Sequence, residues 1–369
     1  MSKPDLAASI RRSALKFITI GQDFARDTVS RESFGPSDLL RTALRVAATS
    51  AEALGGLPRE MNGAQWQEAA NKLEVCELFV NAGGLKSMEL AQSVQRCQSL
   101  EPFSRPWVLE GVGYDYAGQA LGRGRPCDKL LQGPHTAGIP HSLLLTLHTG
   151  AGMAFGRAAL AERSRGIGTM LQRHWQRCLD NAEGPWAAEI MFESLGFVAA
   201  TLNRELIPEI RRELGGWPAE LVDSFWHGVG RGMYFLPSNL APISAMRRYV
   251  IVESRRMAPE GAGRKKVFAG IAWAVTLTNL RHPAVLASWL EEQDDEAAFR
   301  SGVASALKFW LLCVPEDQHV ARLSSYRPHG NSRLTTLWDS IVSTSCEEAR
   351  VWSAAPEAAQ SAATLFRAG

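Results

Sequence analysis

Glu110-Gly-Val-Gly-Tyr-Asp-Tyr116 and His227-Gly-Val-Gly-Arg-Gly-Met-Tyr-Phe235 share one pattern, a polar residue, two spaced glycines and then aromatics, at an offset of 117 positions. A second echo follows in the same order, Ala151-Gly-Met-Ala-Phe-Gly156 against Ala269-Gly-Ile-Ala-Trp-Ala274, at an offset of 118. Two matches at nearly one offset predict an internal duplication. A weaker third version, Phe192-Glu-Ser-Leu-Gly-Phe197, lies between them. Glycine costs ~1 kcal/mol against alanine inside a helix, so helices rich in it must recover the loss by close backbone packing or by a ligand. Gly111, Gly113 and Gly118, Gly150, Gly152 and Gly156, and Gly228, Gly230 and Gly232 mark such crossings, with packing the simpler account.

Around these blocks, prolines at first-turn positions precede apolar residues spaced three and four apart, the signature of amphipathic helices. The spacing predicts helices over 38–54, 64–82, 105–121, 140–163, 168–182, 185–206, 218–236, 240–257, 264–281 and 296–312. In the second of these, Trp66, Ala69, Ala70, Leu73, Cys76, Phe79 and Val80 fall on one face, which reads as core. No stretch alternates with period two between turn residues, so the expected fold is mainly α, internally duplicated, with glycine-rich central helices and little or no sheet. The expected organisation is an N-terminal helical arm over 1–62, a first helical half over 63–215, a second over 216–355 and a loose tail over 356–369.

At 369 residues, 46% apolar and 21% charged, the chain has ordinary globular composition, and a formal charge of +2 creates no field that would gather nucleic acid. Met1–Ser13 mixes Lys3, Asp5, Arg11 and Arg12 with small residues and has no apolar secretory core, so a cytoplasmic location is expected. His148 and Arg157 interrupt the long apolar run Ser142–Ala161, and Val267–Leu280 is shorter than the ~20 residues a span needs. A membrane-spanning protein is therefore not expected. The six cysteines are scattered without a CxxC pair, against both a zinc site and a disulfide framework.

The glycine doublets do not complete a dinucleotide fingerprint, because Phe155 and Met233 stand where its third glycine belongs and no strand precedes either block. Walker, zincin and nucleophile-elbow motifs are absent from the sequence. The acidic run Glu291–Glu296 reads as a solvated helix end. What remains is a set of ionisable groups inside apolar, glycine-rich helices, where a charge is costly unless paired or used. Glu110 and Tyr114 share a helix face, as do Glu189 and Glu193, and His227 and Arg231. His148 stands in the middle of an apolar run. Under the duplication Glu110 and His227 are equivalent. Glu110, Tyr114, His148, Glu193, His227 and Arg231 are accordingly the candidate catalytic residues, lining one central pocket as acid–base groups or metal ligands. The competing account makes each a satisfied polar group that fixes helix register. No cofactor is indicated.

Phe79-Val-Asn-Ala-Gly-Gly84, Leu109–Ala117, Pro140-His141, His148–Arg157 and Trp226–Phe235 together resemble, in order and spacing, the bacterial family known as domain of unknown function 1702, over about residues 70–290. The resemblance implies a place in natural-product gene clusters, notably those for enediyne polyketides. It also implies an apolar, unsaturated substrate, polyene or lipid-like, and biosynthetic enzyme partners. The alternative is a non-catalytic carrier or scaffold of a polyketide complex. One departure bears on catalysis: the family's central block often carries His-Glu after a Gly-Phe pair, whereas Gly196-Phe197 is followed here by Val198-Ala199.

Overall fold

The computed structural model describes residues 63–80, 85, 88–122, 128–236, 239, 244–293, 295–329, 332–355 and 364–365. The expected arm over 1–62, its helix at 38–54 and nearly all of the tail lie outside the described residues, as does Cys127. The described chain is helical, with no strand among the described residues. In order the helices are α1 (Gly63–Val80), α2 (Leu90–Gln98), α3 (Ser104–Gly122), α4 (His141–Ala161), α5 (Ile167–Asn181), α6 (Pro185–Leu202), α7 (Ile207–Glu213), α8 (Ala219–Tyr234), α9 (Ser244–Met257), α10 (Ala262–Thr278), α11 (Pro283–Glu292), α12 (Glu296–Cys313), α13 (His319–Ser325), α14 (Ser332–Leu337) and α15 (Thr344–Ser353). A turn of π-helix, Trp338–Ser343, joins the last two.

Local chemistry sets these boundaries. Pro185 and Pro283 open α6 and α11, where a missing N–H costs nothing. In the acidic run, Glu291 and Glu292 end α11, and Asp295 caps α12 by accepting from the Ala298 N–H at 3.0 Å. Gly166, at φ +93°, makes the reversal into α5 that an L side chain would resist.

The core is a row of helices packed in the order α3, α4, α6, α8, α10, α12, each against the next. The packing runs through the α6–α8 pair without a break at residues 215–216. The row curls back on itself: Cys313, at the end of α12, donates from Sγ to the Ser142 carbonyl at 3.4 Å and lies 3.5 Å from Thr146 Oγ1, both on α4. Trp226, Trp289, Trp310 and Trp338 are fully buried. α1 lies against α3, α10 and α11. Its buried face differs from the expected apolar one: Glu68, Ala69, Asn71, Lys72 and Val75 are buried, while Ala70, Leu73, Cys76, Phe79 and Val80 are half-buried. Periodicity misreads this face because its charges are paired.

Candidate functional site

The glycines position the site. A Cβ on Gly113 would overlap the Leu147 carbonyl, and one on Gly150 would overlap the Glu110 carbonyl. The same reciprocal contact recurs between α6 and α8, with Gly196 against the Phe225 carbonyl and Gly228 against that of Glu193. It recurs again between α8 and α10, with Gly230 against Val267 and Gly270 against His227. Backbones this close gain dispersion and weak Cα–H···O contacts that offset the helix cost of glycine. The weak third echo thus marks a crossing of the same kind as the other two. The second echo, however, aligns Gly270 with Gly152, whereas by contact Gly270 matches Gly150. α4 carries glycine on two faces, Gly150 toward α3 and Gly152 toward Met191 of α6, and letters alone do not say which face a glycine serves.

Of the six residues whose carbonyls receive a glycine at these crossings, three, Glu110, Glu193 and His227, are ionisable groups picked out by sequence. Their side chains form one buried chain. His227 Nδ1 is 2.9 Å from Glu193 Oε1, and since a carboxylate only accepts, the imidazole donates. Arg231 then bridges two carboxylates, Nη1 donating to Glu193 Oε2 at 2.7 Å and Nη2 to Glu110 Oε1 at 3.1 Å. The link between Glu110 and His227 therefore runs through Arg231 and Glu193. The guanidinium carbon lies 4.5 Å from the centre of the Trp273 ring and 5.3 Å from that of Phe197, so its charge also rests on π-faces. Side-chain exposure rises along the chain from 0% at Glu193 to 8% at Glu110, which makes Glu110 the outward end.

Burial raises the Glu110 carboxyl to about 7; Arg231 opposes the rise and the charge of Glu193 adds to it. Burial lowers His227 against the pull of Glu193. One guanidinium serving two carboxylates leaves a centre that gains and loses a proton near neutral pH. Around it, Ser224 donates to Glu189 Oε1 at 2.9 Å, and buried Lys266 pairs with Asp223 at 3.3 Å. The gap between the two carboxylates is filled by the Arg231 guanidinium, and among the described residues no group of three His, Cys, Asp or Glu side chains could hold a metal ion.

Two candidates stand apart from this chain. Tyr114 lies one turn along α3 from Glu110, with its ring 5.5 Å from that of Phe79 and Arg157 5.5 Å from its centre. His148 faces the start of α6: Nδ1 donates to the Leu144 carbonyl at 2.6 Å, Nε2 accepts from the Glu183 N–H at 3.3 Å, and burial pushes its pKa down to about 4. With both nitrogens engaged as a neutral ring, His148 ties α4 to α6.

A second ionic cluster escaped the sequence reading. Glu68 of α1 accepts from Lys72 at 2.9 Å, from Arg247 Nε at 2.9 Å and from Trp289 Nε1 at 3.1 Å. Burial acts to raise the Glu68 pKa, but Lys72 and Arg247 outweigh it and hold the carboxyl below its ordinary value. The i, i+4 pair Glu68/Lys72 was the available signal, and alone it resembles any exposed helix pair.

No protein-family model, curated protein or solved structure matches the chain.

Proposed function

We propose that the protein binds an apolar, unsaturated small molecule of secondary metabolism and moves a proton on it, with Glu110 as the acid–base group. The observation that carries this reading is Glu110 itself, a carboxyl raised to about 7 at the outward end of a buried ionic chain. The simplest balanced reaction is a double-bond shift. The Glu110 carboxylate takes an allylic proton, the C–H electron pair becomes the new double bond, and the old double bond accepts the proton at its far carbon. Arg231 steadies the carboxylate, and Glu193 with His227 fixes Arg231. Arg231 Nε is buried with no hydrogen-bond partner among the described residues, so an acceptor on the ligand would satisfy it. The substrate class, a cytoplasmic setting and biosynthetic enzyme partners rest on the sequence resemblance and composition.

The test is incubation of the purified protein with a panel of polyenes and unsaturated fatty acids in deuterated water, followed by mass spectrometry. Wild type is expected to place deuterium on carbon, and Glu110→Gln to lose at least about a hundredfold of that rate while still binding. Ligand-dependent melting shifts without deuterium incorporation would favour the carrier or scaffold reading, which draws support from the near-complete burial of Glu193 and His227. No melting shift with any of the panel would overturn both.

A further inference from the structure

The Glu110–Arg231 bond closes the seam between α3 and α8, and α1 touches both helices beside it. Tyr114 stands one turn beyond Glu110 on α3, and Tyr234 three residues beyond Arg231 on α8. α1 touches both rings: the Phe79 ring sits 5.5 Å from that of Tyr114, and Lys72 Nζ sits 4.1 Å from the centre of the Tyr234 ring.

The seat of α1 is unlike the rest of the core. Glu68, Asn71 and Lys72 are among its most buried residues. Besides the Glu68 contacts with Lys72, Arg247 and Trp289, Asn71 donates to Asn279 Oδ1 at 2.8 Å and Lys72 to the Asn239 carbonyl at 2.8 Å, and Glu74 pairs with Arg281. A helix intended as permanent core buries apolar surface, which water penalises on release. Buried ion pairs behave differently: desolvation offsets much of their attraction, and on release every charge regains its hydration. α1 also seats Ala69, Val75 and Phe79, but a helix held in good part by ion pairs needs less net free energy to come away than a wholly apolar one, the property of a locally opening unit.

We propose that α1 is a gate over the Glu110–Arg231 seam, latched by Glu68 between Lys72 and Arg247, and that the ligand enters when it lifts. The gate rests on the proposed function for its purpose but not for its test, which needs no ligand. Hydroxyl-radical footprinting with mass spectrometry would compare the full chain with its Glu68→Gln variant, which leaves Lys72 and Arg247 buried without their carboxylate. Oxidation of Tyr114 and Tyr234 is expected to rise ~10-fold or more while Phe192 and Trp338 stay protected. In parallel, hydrogen exchange of the wild type in denaturant below its unfolding transition should show the amides of α1 opening well before those of α6 and α8. Exchange of wild-type α1 only through global unfolding would overturn the gate, and it decides the matter if Glu68→Gln fails to fold. Faster α1 exchange in the variant with unchanged oxidation of Tyr234 would overturn it as well. A gate that opens in a protein with no polyene binding would leave the gate standing and remove the proposed ligand.

Discussion

The two buried ionic clusters give their carboxylates different numbers of cations. Glu68 meets two, Lys72 and Arg247, the second of which also reaches the less buried Glu292 at 3.3 Å, and the Glu68 pKa falls. Around Arg231, one cation meets two carboxylates, and the outer one, Glu110, rises to about 7. Burial alone pushes both carboxyls upward. The number of cations within hydrogen-bond reach decides which stays charged, so the first cluster is suited to hold a fixed charge and the second to exchange a proton.

The largest effect expected from this contrast is at the two arginines. Arg231→Met strips both carboxylates of the guanidinium they share and should cost ~3–5 kcal/mol in urea unfolding, with partial recovery at low pH as the carboxyls protonate. Arg247→Met leaves Glu68 with Lys72 and the Trp289 N–H, and should cost about 1–3 kcal/mol. Equal losses would break the cation-count argument.

Next in size is a pH dependence. Since the folded Glu110 value lies above the ordinary 4.5, the folded protein holds more protons between pH 4.5 and about 7, and stability declines as pH rises through that window. Glu110→Gln should remove that decline, so the stability of wild type relative to the variant should fall by roughly 2–3 kcal/mol between those limits. His227, whose pKa is lowered, works in the opposite direction below 6.5, and the difference between wild type and variant isolates Glu110. Glu68 has the reverse sign: its contribution is present above its ordinary value and disappears as pH falls through its lowered one. A pH-independent difference between wild type and Glu110→Gln would place the exchangeable proton elsewhere.

A smaller pair of effects separates the crossings from the helices that carry them. Gly228→Ala sets a Cβ against the Glu193 carbonyl, so α6 and α8 must shift, at about 1–3 kcal/mol, and the His227–Glu193 bond should loosen. At Gly118 an alanine methyl would meet nothing within 4 Å among the described residues, so Gly118→Ala should stabilise by up to ~1 kcal/mol. Thermal melts of the two variants, with the Glu68 cluster as an undisturbed control, measure the contrast.

Helix positions in the core row were largely legible in the sequence because glycine, proline and apolar spacing are local signals. The helices predicted over 105–121, 140–163 and 296–312 correspond to α3, α4 and α12. α2, α11 and the short helices α7 and α13–α15 were not read, since brief amphipathic turns look like loops until packing selects them. Glu110, Glu193, His227 and Arg231 stood out because charges in glycine-rich helices are costly. Their order of contact was not legible, because Arg231 reaches Glu110 from 121 residues away. His148 looked equally suspicious, yet its partners are a carbonyl one turn back and the backbone of Glu183, groups that no side-chain pattern reveals. In α1, pairing with Arg247, Trp289 and Asn279 turned polar positions inward.

Where two helices meet at a reciprocal pair of glycines, as Gly196 and Gly228 do between α6 and α8, the contact approaches a point between two cylinders. Such a joint resists separation and sliding but offers little resistance to rotation about the line joining the helix axes. Three joints of this kind, between α3 and α4, α6 and α8, and α8 and α10, make the centre of the row a set of pivots, in which small scissoring angles can add while each carbonyl stays against its glycine. Glu110, Glu193 and His227 sit on the pivots themselves, the places that move least when the helix ends swing.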